Sequence, residues 1–310
     1  MVRSATEIAS WELGQRLAGR RSRVWGHAWT NYLYLVPVFL ISFALISYAI
    51  GYTIYTSLLD WNGISRIRPF VGLDNYTAIL RDPIFHQALR NTAVFGVLAI
   101  FIQMALGLTM AILLKSNVRW KAVYKVIFFL PVVLAPAVVA YVFRHLYEPN
   151  DGELNRMLGW VGVGGLRHAW LADPDTALYA VTAINIWQWT SFSFVLYFAG
   201  LSLIDDDLYE AARLDGANFG QLIRHMTIPL LRFTHISLII LGVIGALKTF
   251  DIIFLTTGGG PARATEFLST YIFQRAIQQF DASYSAALSV VLMILAVIAT
   301  AIQLRVFRER

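Results

Sequence analysis

The chain has 310 residues, of which 57% are hydrophobic and 14% charged, with a net charge of +6 and a mean hydropathy of +0.59. A soluble domain carries about 25% charged residues, so a wholly water-soluble fold is excluded, and the apolar excess lies in long blocks suited to lipid. Cysteine is absent, which removes disulfides and thiolate metal sites, and no basic patch interleaved with aromatics points to nucleic acid.

Residues 1–30 form a polar, basic segment with Arg3, Arg16, Arg20, Arg21 and Arg23, and the transmembrane domain is predicted over 31–310. The apolar run Tyr32–Leu58 is too long for a signal-peptide core and lacks a small-residue cleavage site, so it reads as a retained first span. Trp29 and Trp61 flank it as interfacial aromatics. A polar loop over 59–89 carries Val71-Gly72-Leu73-Asp74-Asn75-Tyr76. The second span is predicted over Asn91–Leu114, followed by a short basic loop with Lys115, Arg119, Lys121 and Lys125. The third, Val126–Leu146, contains Pro131 and Pro136, which must disturb the helix and free carbonyls that need partners or water. A packed kink and the wall of a wet cavity both fit that pair. A second polar loop, 147–177, precedes the fourth span, Leu178–Leu201.

The polar island that follows is unlike a plain connector. Asp205, Asp206 and Asp207 offer N-caps to a short helix whose apolar face is Leu208, Ala211 and Ala212. Gly216 ends that helix in a left-handed turn, Gln221 to His225 begin a second one, and Pro229 closes the unit. Glu210 and Arg213, three apart, can pair or reach a partner. A loop with its own compact fold suits docking, although a surface helix hairpin has the same spacing. The fifth span is predicted over Phe233–Thr257, then comes Gly258-Gly259-Gly260-Pro261, an amphipathic stretch Thr270–Gln278, and the sixth span Tyr284–Leu304.

Six spans put both termini on one side. Arg3, Arg16, Arg20, Arg21, Arg23, Lys115, Arg119, Lys121, Lys125, Arg213, Arg224, Arg232, Arg305, Arg308 and Arg310 lie on that side; Arg66, Arg68, Arg81, Arg156, Arg167, Arg263 and Arg275 lie on the other. The richer side is cytoplasmic by the positive-inside rule, which puts the 205–229 unit in the cytosol.

Two polar groups fall inside the spans. Lys248 and Asp251, three apart in the fifth, are predicted on one helical face, either as a structural ion pair or as a pair lining a cavity. The fourth carries Asn185, Trp187, Gln188, Trp189, Thr190, Ser191 and Ser193, too many polar groups to face lipid. Small polar residues glue spans together, but aromatic faces beside amides and hydroxyls also suit a neutral sugar. Trp187, Gln188, Trp189 and Ser191, with Lys248, Phe250 and Asp251, are the candidate substrate path, and only one of the two tryptophans need face it. No phosphate loop, His-Glu-x-x-His or Gly-x-Ser-x-Gly occurs, and the six histidines are scattered, so neither ATP hydrolysis nor metal catalysis is expected of this chain.

The series Glu210-Ala211-Ala212, three residues, Gly216, nine residues, Met226-Thr227-Ile228-Pro229 resembles the EAA loop of ABC importer permeases, with Met226 and Ile228 where Ile and Leu are usual. The Val71 hexamer and Phe250-Asp251 with Leu255-Thr256-Thr257-Gly258-Gly259-Gly260-Pro261 resemble segments of the carbohydrate-type members of that family, the binding-protein-dependent transport system inner membrane components. The resemblance implies an all-α membrane protein, a type I ABC importer (MetI-like) transmembrane domain with six transmembrane helices. It implies coupling to an ATPase through Glu210, Ala211, Ala212, Asp215, Gly216 and Pro229. Partners would be a second homologous permease, two ATPase subunits carrying ATP and Mg, and an extracytoplasmic sugar-binding protein, all at the cytoplasmic membrane of a prokaryote. This chain would need no cofactor of its own. A sugar, di- or oligosaccharide, is the expected cargo. Two rivals are a glycerol-3-phosphate or phosphodiester permease, which would favour a more cationic cavity, and an ion-coupled secondary carrier, against which the lack of an internal repeat counts.

Overall fold

The computed structural model describes residues 28–308 apart from 117, with side chains over 35–306. The basic segment predicted over 1–30 falls almost wholly outside the described residues, as do the side chains of Trp29, Arg308 and Arg310. Among the described residues there is no strand, only an isolated bridge between Leu59 and Phe70. The chain divides into two compact units between Tyr55 and Thr56. In the first, helix α1 (Ala28–Ser57) contains Pro37 and is apolar on all sides, the pattern of a helix surrounded by lipid.

In the second unit, α2 (Asp74–Arg81) lies inside the loop predicted over 59–89, and α3 (Pro83–Lys115) starts earlier than the predicted Asn91. The reason is local: Asp82 accepts a hydrogen bond from the Ile84 N–H at 2.8 Å, and Pro83 takes the first helical position, where no N–H is needed. The third span is two helices, α4 (Lys121–Val133) and α5 (Pro136–Leu146), bent by 95°. Pro136 opens α5 and holds Ala135 extended, at φ −61° and ψ 138°. After α6 (Glu153–Trp160), α7 (Pro174–Ser202) runs for 29 residues from an Asp173 cap.

The polar island folds as α8 (Asp206–Leu214), α9 (Phe219–Leu222), a π-turn Ile223–Thr227 and α10 (Ile228–Leu230), with a 64° bend before α11 (Arg232–Lys248). The fifth span is not one helix. It stops at Lys248, passes through Thr249 (φ −60°, ψ 119°) and Phe250 (φ −132°, ψ −56°), and restarts as α12 (Asp251–Thr256). The predicted Thr270–Gln278 stretch is the end of α13 (Leu268–Phe273) and a π-turn, and α14 (Ala282–Arg308) closes the chain. Among the described residues, three helices, α1, α3 and α14, are long and apolar enough to cross a membrane, five if each bent pair counts as one. At about 1.5 Å per residue α7 is also long enough, but its amides, hydroxyls and tryptophans leave it less apolar.

The most extensive helix pair is α3 with α7. Gly107 permits it: a Cβ there would stand 2.7 Å from Ser193 Cβ and 2.8 Å from the Phe194 nitrogen. Between α3 and α11, Gly96 faces Ala246 and Gly242 faces Ile100. Small residues let helices approach closely where lipid removes the hydrophobic drive between them. One apolar cluster, with Phe95, Val139, Val181, Ile184, Ile253 and Phe267, joins α3, α5, α7 and α12. Another, with Ala111, Leu114, Phe194, Tyr197, Leu201, Leu231 and Leu238, joins α3, α7 and α11. At the start of α3, Asp82 gathers hydrogen bonds from the hydroxyls of Tyr271 and, at 2.6 Å, Tyr284, with the Arg275 guanidinium 3.9 Å away. Burial pushes the Asp82 carboxyl up, but the two phenols, the Ile84 N–H and Arg275 outweigh it and hold the group below its ordinary value.

Candidate functional site

Two features stand out: a cavity among the helices and the exposed unit over 205–229. The cavity, about 380 Å³, is walled by Phe95 and Gln103 of α3, Pro136 of α5, the middle of α7, Gly242 and Gly245 of α11, and the broken segment Lys248–Ile252. Its polar groups come from α7 and its neighbours. Gln103 donates to Asn185 Oδ1 at 2.9 Å and to the Asn185 carbonyl at 3.2 Å. Gln188 donates to the Leu134 carbonyl at 3.0 Å, at the break between α4 and α5. The Leu134 carbonyl, where the helix breaks ahead of Pro136, thus has a side-chain partner, as a low-dielectric interior requires.

Of the seven residues predicted for the substrate path, Gln188, Trp189, Lys248, Phe250 and Asp251 line this cavity. Trp187 and Ser191 do not. Residues two apart on a helix point about 200° apart, and Trp187 packs edge-on against Phe143, 5.2 Å between rings. Ser191 is buried away from the cavity wall. Trp189 keeps 43% of its surface open and meets Phe192 edge-on. Phe250 stacks on Phe254 at 5.0 Å and 15° and leans on Phe273.

Lys248 and Asp251 do not share a helical face, because the helix breaks between them, and no ion pair joins them. Lys248 ends α11 and Asp251 opens α12. Each charge therefore sits at the helix end whose dipole favours it. Thr249, between them, gives its carbonyl to Ser269 Oγ at 2.5 Å, which anchors the break to α13. Asn185 and Ser193, members of the polar cluster of the fourth span, also line the cavity, and Gln103, Phe192 and Thr249 join them through contacts that no local sequence signal marks.

The 205–229 unit is held by its own polar bonds. Asp205 caps α8 through the Asp207 N–H at 3.1 Å. Gly216 takes φ +85°, with the Ala217 N–H returning to the Ala212 carbonyl at 2.9 Å. Asn218 and Gln221 form a reciprocal capping box, 3.0 and 2.8 Å. Tyr209 Oη lies 3.1 Å from Thr227 Oγ1 and ties the two helical pieces together. Lys115, at the end of α3, anchors the unit to the bundle: its Nζ is 2.9 Å from Asp206 Oδ1, donates to the Leu201 carbonyl at 3.1 Å and lies 4.8 Å from the Tyr209 ring centre. The hydrogen bond and charge of Lys115 hold the Asp206 carboxyl below its ordinary value.

Glu210, Ala211, Asp215, Gly216 and Pro229 are exposed and Ala212 is half-buried. Glu210 and Arg213 form no ion pair with each other, so both remain available. Leu203, Leu214 and Phe219 present apolar side chains 88%, 89% and 68% exposed. Exposed apolar residues of this size beside ordered polar ones mark an interaction surface. Among the described residues no group of His, Asp or Glu could hold a metal ion.

The family model described as "Binding-protein-dependent transport system inner membrane component" matches residues 103–309. The chain is 34% identical over 279 residues to the probable ABC transporter permease protein YurN of Bacillus subtilis, covering 89% of this chain and 95% of that protein. It is 31% identical over 280 residues to the trehalose/maltose transport system permease protein MalF of Thermococcus litoralis, covering 90% and 94%. Its fold matches a chain of a bacterial ABC transporter involved in import of the acidic polysaccharide alginate, with a TM-score of 0.78, 23% identity and coverage of 95% and 99%. The broken segment Lys248–Ile252 and the ordered 205–229 unit lie within the matched residues 103–309, and the chain belongs to the binding-protein-dependent transport system inner membrane components, as a permease of the ABC type.

Proposed function

We propose that this chain is the permease subunit of an ATP-driven importer that carries a sugar, a di- or oligosaccharide, through the cytoplasmic membrane by alternating access. One observation carries the reading: the exposed EAA unit is bonded to Lys115 at the end of α3 and to His235 of α11, and Lys115 also holds the Leu201 carbonyl at the end of α7, so the unit is tied into the three helices that wall the cavity. A load placed on the unit reaches the cavity through a few rigid contacts. The cavity supports a sugar because Trp189 offers an open aromatic face beside Gln103, Asn185 and Gln188, and its only charges are the dipole-placed Lys248 and Asp251. Similarity to a trehalose/maltose permease supports the same cargo class.

In this reading the chain crosses the membrane six times, with α4–α5 and α11–α12 as broken spans and both termini in the cytosol. The domain runs over 31–310 behind a cytoplasmic segment over 1–30. Two ATPase subunits dock on the 205–229 unit and its equivalent, a second permease completes the cavity, and an extracytoplasmic binding protein delivers the sugar. ATP and Mg are bound by the ATPases, and no covalent chemistry occurs here. The test is reconstitution of the co-purified complex in proteoliposomes. Sugar uptake should require internal or external ATP on the ATPase side and stop with vanadate. Uptake driven by an ion gradient without ATP would overturn the reading.

A further inference from the structure

The 64° bend between the docking unit and α11 is braced by one side chain. Leu231, at φ −86° and ψ 12°, ends one helix and precedes the next. His235, one turn into α11, reaches back over the bend: its Nε2 is 3.1 Å from the carbonyl of Ile228, seven residues earlier. Its Nδ1 is 2.6 Å from Tyr197 Oη on α7. A carbonyl only accepts, so Nε2 carries the proton, and Nδ1 accepts the phenolic one. Both ring nitrogens are therefore used, each toward a different element.

The surroundings leave this arrangement little freedom. Tyr197 is 1% exposed within the apolar cluster that includes Ala111, Phe194 and Leu201, where its hydroxyl would be costly without a partner. The rings meet edge-on at 5.2 Å. One turn along α7, a Cβ on Gly200 would stand 2.8 Å from both Leu231 Cδ2 and Thr234 Oγ1, so α7 is pressed against the bend residue and the first turn of α11. A hydroxyl on α7, an imidazole on α11 and a carbonyl of the docking unit thus converge on one joint.

We propose that His235 is a positioning residue for coupling. It fixes the angle between the docking unit and α11, and through Tyr197 it locks that angle to α7. Displacement of the unit then turns α7 and α11 as one body, and these two helices carry Gln188, Trp189 and Lys248 into the cavity. The proposal rests on the reading of residues 205–229 as the ATPase-docking unit.

The test uses the reconstituted complex and reads sugar imported per ATP hydrolysed. His235→Phe keeps the bulk and removes both hydrogen bonds; assembly and basal ATPase activity should persist while the ratio falls about fivefold or more. Tyr197→Phe, which keeps the brace and cuts the tie to α7, should lower the ratio less, and the double variant should be no worse than His235→Phe alone. His235→Gln, whose amide can still donate to the Ile228 carbonyl, should recover part of the ratio. An unchanged ratio in His235→Phe, or a loss confined to yield and thermal stability, overturns the proposal. Should that variant fail to assemble, an unchanged ratio in Tyr197→Phe does so instead. Cross-linking of a cysteine at Asn218 to the ATPase separates the two layers. If it forms in the parent complex, the docking reading stands whatever His235 does; if it does not, both fall together.

Discussion

Gly107 is where the α3–α7 contact can be tested by a single methyl group. In Gly107→Ala the new Cβ would lie 2.7 Å from Ser193 Cβ, 2.8 Å from the Phe194 nitrogen and 2.9 Å from the Ser193 carbonyl carbon. Carbon atoms in contact settle near 3.5–4.0 Å, so the helices must part by about 1 Å. Two of the three obstacles are backbone, so no rotamer change relieves them. Overpacking of this kind costs about 1–3 kcal/mol. The displacement falls on Ser193 and Phe194, about one turn along α7 from Trp189 and two from Asn185, and parting α7 from α3 there strains the Gln103–Asn185 bond between the same two helices. The expected result is a lower midpoint of thermal unfolding in detergent or nanodiscs, with sugar uptake reduced several-fold. Gly245→Ala is the control, since nothing lies within 4 Å of a Cβ at that cavity position. It should leave stability unchanged. If Gly107→Ala matches the parent in both midpoint and uptake, α3 and α7 do not approach this closely and Gly107 is not what permits their contact.

Removing the partner of the Leu134 carbonyl by Gln188→Leu should destabilise the permease by about 1–3 kcal/mol, read from thermal unfolding of the purified complex; an unchanged midpoint would show that water replaces the amide. Gly216→Val opposes a φ of +85° with free space around the side chain, so only backbone strain acts, about 1–2 kcal/mol within the loop. Membrane insertion should be normal and sugar-stimulated ATPase activity low; normal stimulation would make the unit a mere connector. With no native cysteine, single cysteines at Ser65 or Asp173 should react with an impermeant maleimide from outside, and those at Ser116 or Asn218 only after permeabilisation; outside labelling of Asn218 would refute the cytosolic docking unit. The Asp82 cluster predicts a pH effect. Because the folded carboxyl is held below its ordinary value, its stabilising contribution is present above the unfolded pKa near 3.9 and is lost as pH falls through the lower folded value. Asp82→Asn should therefore flatten the acid limb of the stability profile below about pH 4, measured by unfolding midpoint against pH, and an identical limb would clear Asp82 of that role.

What could be read from the sequence follows from how local each signal is. The fold of the 205–229 unit, two short helical pieces around a bend, was legible because Asp205 and Gly216 act within a few residues of themselves, and each does so in the structure; Pro229 instead sits at the start of α10, and the unit ends at Leu231. Apolar runs gave the long helices for the same reason. The break at Thr249–Phe250 carries neither glycine nor proline. It is imposed by Ser269 on α13 and by the packing of Phe250 on Phe254 and Phe273, so periodicity ran straight through it and put Lys248 and Asp251 on one face. Pro131 and Pro136 announced a disturbance, but nothing near them told that Gln188 would bond the Leu134 carbonyl at the break. Trp187 and Trp189 have similar surroundings in sequence and equal exposure, and only the structure shows that Trp189 lines the cavity while Trp187 packs on Phe143 of α5.

The bond from Gln188 to Leu134 also sets an order of events during biogenesis. The bent α4–α5 segment leaves the ribosome 54 positions before the side chain that satisfies it. Until α7 is made, the Leu134 carbonyl has no such donor, and a bare carbonyl in hydrocarbon is unfavourable by several kcal/mol. The segment must therefore wait in a wet or interfacial setting, beside the insertion machinery or at the headgroups, and fold over only when α7 enters. Maturation of the third span is in this way contingent on the fourth, and a nascent chain halted before residue 188 should hold its 121–146 segment more open to water and proteases than the finished protein does.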